Sequence, residues 1–227
     1  LNASADILTR ALDYPYPVPD HDYLFCAGGS RPLPIDFPFT GLTPVVAVGS
    51  NRSPQQLQRK FGTSAVMAVT RAQLTDYDVV YSAHMARYGS VPACLFPSPQ
   101  TTVEVWVNWL DTGQLADMHL TEAVGVNYDF IALPKGAVSG TGLGPRLAAH
   151  YYKSRRGALA IDGRPIALSA VTARQRQYLA YAQEDILRHV HQQHGTGAFI
   201  TWLTAMIGDD PQRLRLTDRL SAAAINA

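Results

Sequence analysis

The apolar positions of the chain form a β-rich run followed by a helical one. Pro44-Val45-Val46-Ala47-Val48 is a continuous apolar stretch that stops at Gly49, the pattern of a buried strand closed by a turn. Strands are also predicted over 65–70, 77–82, 91–96 and 102–110. In the last of these Val103, Val105, Val107 and Trp109 alternate with Glu104, Trp106 and Asn108. Ser53-Pro54-Gln55-Gln56 reads as a helix start, with Ser53 as cap, Pro54 in the first turn and Gln56 completing a capping box, and Gly62 ends that helix. A short helix over 114–122 and a strand over 128–133 follow. Asp162-Gly163 marks a hairpin within 158–168, because this dipeptide adopts the positive φ angles a tight turn needs.

Beyond Thr172 the spacing becomes helical, with Tyr178, Tyr181, Ala182, Ile186 and Val190 near one face. Two more helices are predicted over 197–207 and 211–224, the last bounded by Asp210-Pro211. The first 43 residues, rich in proline and aromatics, read as an irregular segment. Together the elements predict an α+β fold in three parts: a Pro/aromatic-rich N-terminal wrap over 1–43, a β-barrel domain with a cavity over 44–170, and C-terminal helices over 171–227 packed on the same domain. There is no internal repeat and no low-complexity tract.

At 227 residues, 47% apolar and 16% charged, the chain can bury a core without disulfide or metal staples. A formal net charge of +1 gives no broad positive field for nucleic acid. No apolar run approaches the roughly 20 residues of a membrane span, and the first residues carry Asp6, Arg10 and Asp13 rather than an export signal. Cys26 and Cys94 form neither a CxxC pair nor a disulfide framework, and as reduced, buried thiols they fit the cytoplasm.

Two features carry candidate chemistry. A glycine followed by small polar residues, Gly49-Ser50-Asn51, presents backbone N–H groups beside a helix start, a setting that favours a carboxylate ligand. Glu122 ends the 114–122 helix, and a carboxylate at the edge of an apolar pocket has a raised pKa and can act as a general base. Each has an ordinary alternative, a turn after a strand and an exposed helix-end glutamate. His119, spaced i, i+3 from Glu122, could share its helical face and tune it or move a proton itself, against a surface histidine as the plain alternative. Tyr81, His84 and Tyr88 are candidates for the cavity wall or the core.

Weaker signals are set aside. His189, His191 and His194 have partly metal-like spacing without a completing acid or thiol, so no metal is expected. The glycine-rich run 139–144 lacks a phosphate-loop ending and reads as a mobile loop near the cavity mouth. No Gly-x-Ser-x-Gly elbow is present.

The order of the two main features resembles the γ-glutamylcyclotransferase-like family. The resemblance runs through Val45-Val46-Ala47-Val48-Gly49-Ser50-Asn51, Tyr88-Gly89-Ser90-Val91-Pro92-Ala93-Cys94-Leu95-Phe96-Pro97-Ser98-Pro99, Val103-Glu104-Val105-Trp106-Val107, and Leu120-Thr121-Glu122 with Tyr128. It spans about 44–133. It implies a small closed β-barrel in which Gly49, Ser50 and Asn51, flanked by Val48 and Tyr128, hold the carboxylate end of a γ-glutamyl substrate. Glu122 would take a proton from its α-amine, and the amine would close a five-membered ring without any cofactor. Val48 stands where the family carries tyrosine, and His119 where it carries aspartate. The readings kept open beside this one are a hydrolase of a different small amide or ester and a non-catalytic binding module. The expected partner is a small molecule carrying a carboxylate and an amide, with no nucleic acid and no membrane, and a homodimer through the C-terminal helices is a further expectation.

Overall fold

The computed structural model describes residues 3–144 and 148–226. In chain order the elements are α1 (Ala3–Leu12), β1 (Tyr23–Cys26), β2 (Gly29–Pro32), β3 (Thr43–Ala47), a 3-10 turn (Ser50–Arg52), α2 (Pro54–Phe61), β4 (Met67–Tyr81) and β5 (Ala93–Leu110). There follow α3 (Thr112–Glu122), β6 (Tyr128–Ala132), β7 (Val138–Gly140), β8 (His150–Ser154), β9 (Ala160–Ile161), β10 (Arg164–Pro165), β11 (Ala167–Leu168), β12 (Ala173–Arg174), β13 (Ala180–Tyr181), α4 (Gln183–His194), α5 (Phe199–Gly208) and α6 (Asp210–Ala222).

The centre is one long antiparallel ribbon of β4 and β5. The pairs of separate strands predicted at each of these places are each a single strand, bent where the register shifts between Thr75 and Tyr77. Polar Asp76 at φ 64 absorbs the irregularity, so the chain kinks there without leaving the sheet. From this ribbon the sheet extends through β3, parallel β8 and then β6 on one side, and through β11 and β13 on the other. The pairing path ends at β6 and at β13 and does not close on itself, which corrects the closed barrel expected from the sequence. Strand length and alternation set how each strand buries its faces; closure depends on which distant edges meet.

Alternation along the strands divides the interior in two. Val103, Val105, Val107 and Trp109 of β5 join the larger core with Val46 of β3. Trp106 and Leu110 face the other way, into a smaller core with Val45, Ala47, Leu57 of α2 and Met118 of α3. The period of two in β5 therefore does two jobs: one face packs the molecule and the other carries α2 and α3. The C-terminal helices bury Ile186, Leu187, Val190, Trp202, Leu203, Met206, Leu216 and Leu220 in the larger core, so their apolar stripes are spent on this chain's own sheet.

Three local expectations are corrected. The N-terminal 43 residues contain α1 and the β1–β2 hairpin, and β1 pairs with β4. Residues 173–181 are two two-residue strands, β12 and β13, joined by irregular backbone rather than helix, held down by a bidentate contact of Arg176 to the fully buried Asp78 at 2.9 and 3.0 Å, and the helix starts only at Gln183. Ser53 precedes α2 but makes no side-chain cap, and its buried hydroxyl has no partner among the described residues. The Asp162-Gly163 turn forms between β9 and β10, with φ 51 and 72. Cys94 is buried and Cys26 half-buried, both unpaired. Among the described residues no helix is long and apolar enough to cross a membrane.

Candidate active site

The loop after β3 is fixed from four sides. Asn108, on the α2-facing side of β5, donates from Nδ2 to the backbone oxygen of Asn51 at 3.1 Å. Tyr23 of β1 donates its hydroxyl to the backbone oxygen of Arg52 at 2.6 Å. The Arg52 guanidinium, itself buried, donates to the carbonyl of Ala170 at 3.1 Å. Tyr14 brings its phenol against Gly49 and accepts from the Ala93 N–H at 2.7 Å. A Cβ on Gly49 would collide with that phenol oxygen, so the glycine is required by close approach, since its φ of -113 suits any residue. The loop is thus held in one geometry before any ligand arrives.

Glu122 comes to this loop from α3. Asp111 and Gln114 form a reciprocal capping box that starts the helix two residues earlier than the apolar pattern predicts. Met118, fully buried, anchors the helix in the smaller core, and Ala123 ends it in a left-handed conformation. Glu122 therefore lies at the helix end with its side chain turned inward, 15% exposed. Asn51 donates to its Oε1 at 2.9 Å, joining two residues 71 positions apart in sequence.

A third group completes the contact. Lys60, in the last turn of α2, ion-pairs with Glu122 Oε1 and lies 3.5 Å from Met118 Sδ, with its own side chain 9% exposed. Burial pushes the Glu122 carboxyl up, but the Lys60 charge and the bonds from Asn51 and Lys60 outweigh it and hold the pKa below the ordinary value. The raised pKa expected from the sequence is thereby corrected: an apolar wall raises a carboxylate only when no cation stands beside it.

These groups line one cavity of about 950 Å³. Val48, Gly49, Ser50, Asn51, Glu122 and Tyr128 all contribute to its wall. Tyr128 is pushed well above the ordinary phenol range by burial and then by the Glu122 charge, so it faces the cavity as a neutral donor. His84 also lines it. Burial and then Arg156 lower its pKa to about 4, and its Nδ1 lies 2.9 Å from Ser82 Oγ. An imidazole so placed is uncharged at neutral pH.

Other expected residues are elsewhere. His119 is not among the residues of the cavity wall: its Nδ1 is 3.0 Å from the Tyr152 hydroxyl and its ring lies edge-on to Phe130. A spacing of i, i+3 places two side chains on neighbouring stretches of a helix, but Glu122 turns to α2 and His119 to β6 and β8. Tyr88 lines the cavity, whereas Tyr81 is buried in the core and donates to the Tyr181 carbonyl at 3.0 Å. The 139–144 run is no rim of this cavity, since β7 pairs with β4 and Gly142 packs on Trp109 and Phe39. Among the described residues no cluster of three histidine, cysteine or acidic side chains could hold a metal.

Three contributors had no reading in the sequence. Lys60 is one of two basic residues in the last turn of α2, and Tyr14 belongs to the proline- and aromatic-rich segment read as irregular. Asn108 did carry a signal, a polar residue inside the apolar run 105–110, and it is 1% exposed. Tyr14 brings its phenol to Gly49, next to Val48, from the N-terminal segment.

No protein-family model and no curated protein matches the sequence significantly. The solved structures similar to it include a gamma-glutamyl cyclotransferase at 15% identity, covering 82% of this chain and 89% of that one, with a TM-score of 0.42. An uncharacterized protein of Homo sapiens matches at 16% identity over 82% of this chain and 90% of its own, TM-score 0.41. A protein of Arabidopsis thaliana solved in solution matches at 16% identity over 51% of this chain and 70% of its own, TM-score 0.39.

Proposed function

We propose that the protein is an enzyme that cleaves a γ-glutamyl-type amide by internal cyclisation, with Glu122 as general base. The observation that carries this reading is the Asn51–Glu122 hydrogen bond inside the cavity, which joins an anion-favouring loop to a carboxylate. In the proposed reaction the substrate's α-ammonium loses a proton to Glu122, and its nitrogen attacks the γ-carbonyl carbon. The new C–N bond closes a five-membered lactam as the nitrogen gives up a second proton, the amide C–N bond breaks, and the departing amine leaves as an ammonium carrying both protons. Folding the substrate back on itself supplies the reacting group at high effective concentration, and no cofactor is needed. Lys60 and the backbone N–H groups after Gly49 would stabilise the developing oxyanion, with Ser50 and Asn51 orienting the substrate carboxylate and Val48 and Tyr128 closing the wall. The cytoplasm is the proposed compartment, in keeping with two unpaired thiols.

Lys60 favours a second reading. It already occupies Glu122, where a substrate ammonium would have to bind, and a carboxylate so paired can instead orient water for hydrolysis of a small amide or ester. Incubation with a panel of γ-glutamyl amines and dipeptides, read by mass spectrometry, separates the two. Cyclisation releases 5-oxoproline, hydrolysis releases glutamate, and Glu122→Gln should lower either by about 100-fold or more. Turnover unchanged in that variant would remove Glu122 from the chemistry, and no product from any substrate would leave a binding module.

A further inference from the structure

Among the described residues, six cationic side chains line the cavity, Arg10, Arg59, Lys60, Arg87, Arg156 and Arg213, against two carboxylates, Glu122 and Asp210. Three of the six are ion-paired, and a fourth, Arg87, lies near Asp210 without an ion pair. Lys60 pairs with Glu122, and Arg213 pairs with Asp210, which Arg87 also faces closely enough to lower its pKa, behind the Arg213 hydrogen bond and charge. Arg156 donates to Asn127 Oδ1 at 3.2 and 3.3 Å and lies 4.0 Å from Asp218.

Arg10 of α1 and Arg59 of α2 remain. Among the described residues neither has a carboxylate within ion-pairing distance. Instead each guanidinium lies on a phenol ring, Arg10 over Tyr88 at 4.6 Å and Arg59 over Tyr16 at 5.1 Å, and the two rings are themselves 6.5 Å apart. The Tyr16 hydroxyl donates to the Arg10 carbonyl at 3.1 Å, which ties the end of α1 into the cluster. Stacking on an aromatic face holds a guanidinium flat and leaves its N–H edge free for a planar acceptor. Arg10 Nε is buried without a hydrogen-bond partner, a costly state for a donor in a protein at rest. Burial, then the repulsion of Arg10, lowers the Arg59 pKa, so the two charges oppose each other with no acid between them. On its own helix Arg59 Nη1 donates a long hydrogen bond to Gln56 Oε1 at 3.4 Å, leaving its other N–H groups without an acidic partner.

We propose that Arg10 and Arg59 form an anion subsite that binds the carboxylate of the substrate portion remote from Glu122. Resting on the cyclisation reading, this makes the substrate a γ-glutamyl dipeptide with an acidic leaving part rather than a γ-glutamyl alkylamine. Arg59 and Lys60 are consecutive in α2, so one helix serves both ends of the ligand: Lys60 at the reacting end and Arg59 at the acidic end. A carboxylate entering between the two guanidiniums would satisfy Arg10 Nε and relieve the repulsion, with bidentate geometry available from either side.

The test is calorimetric binding of γ-glutamylglutamate, γ-glutamylglycine and γ-glutamylethylamide, whose leaving parts carry two, one and no carboxylates, alongside 5-oxoproline detection on the same samples. Affinity should fall along that series, and Arg10→Gln and Arg59→Gln should each weaken γ-glutamylglutamate by about 10-fold while leaving the ethylamide unchanged. Arg59 is exposed, so its variant is expected to fold even if the Arg10 variant does not, and circular dichroism checks both. Graded binding without 5-oxoproline keeps the subsite and overturns the cyclisation reading. Equal affinity for the three compounds, no binding of any of them, or a discrimination that survives in both variants overturns the subsite.

Discussion

Glu122 ends a helix, and the last turn is an unfavourable place for a carboxylate because the helix dipole presents negative charge there. Lys60 offsets both that field and the cost of burial. The depressed Glu122 pKa has a definite consequence for stability: folding gains from the ionised carboxylate at pH values above its unfolded pKa of about 4.3, and loses that gain as pH falls through the lower folded value. Lys60→Met should reverse the balance. With the cation gone, burial, already the largest single influence, is opposed mainly by the Asn51 hydrogen bond, so the carboxyl pKa rises and any acid limb of the pH–rate profile moves up with it. The same change should cost about 1–3 kcal/mol in urea unfolding, since a buried group is left without its strongest partner. An acid limb that stays in place would show that Lys60 does not set the ionisation of Glu122. His84 should add no inflection near its ordinary pKa, because its own lies at about 4.

At the scale of elements, the site is a junction between a strand end and two helices. β5 supplies Asn108 to hold the loop while its opposite face fills the larger core, and α2 and α3 cross the same face of the sheet to bring Lys60 to Glu122. The α3 start matters for that geometry. Asp111→Ala removes one half of the capping box and should cost about 1 kcal/mol in thermal or chemical unfolding, with a matching loss of helical signal if the first turn frays. A measured cost near zero would mean that Met118 packing alone positions the helix. Much at this scale was legible beforehand: β3, α3, β6 and the Asp162-Gly163 hairpin follow from periodicity and turn chemistry. The merged strands were not, because a bulge at Asp76 keeps a chain in the sheet where local signals read as a break.

Across the whole molecule, α4 to α6 share one core with the β4–β5 ribbon. Leu203, fully buried in α5, is a probe of that unity: Leu203→Ala should cost about 2–5 kcal/mol, and far-UV and near-UV signals should fall in one coincident transition. Two separate transitions would instead mark the C-terminal helices as an independent unit. The cavity also belongs to this scale, since α1, α2, α3, α6 and the loop after β3 each supply part of its wall. No stretch of the chain contains it.

The sequence alone determined which segments are strands and helices over most of the middle of the chain, and it singled out Gly49-Ser50-Asn51 and Glu122. These are local properties: an alternating pattern, a glycine at a strand end, a carboxylate at a helix end. The tertiary structure decided what those residues face. Lys60 beside Glu122, Tyr14 beside Gly49, Asn108 beneath Asn51 and the turning away of His119 all depend on contacts between segments distant in sequence. So does the open sheet, because pairing between distant strand edges is a choice among partners that no single strand's periodicity encodes. The charge state of Glu122 changed for the same reason: a pKa follows the groups that packing brings within a few ångströms.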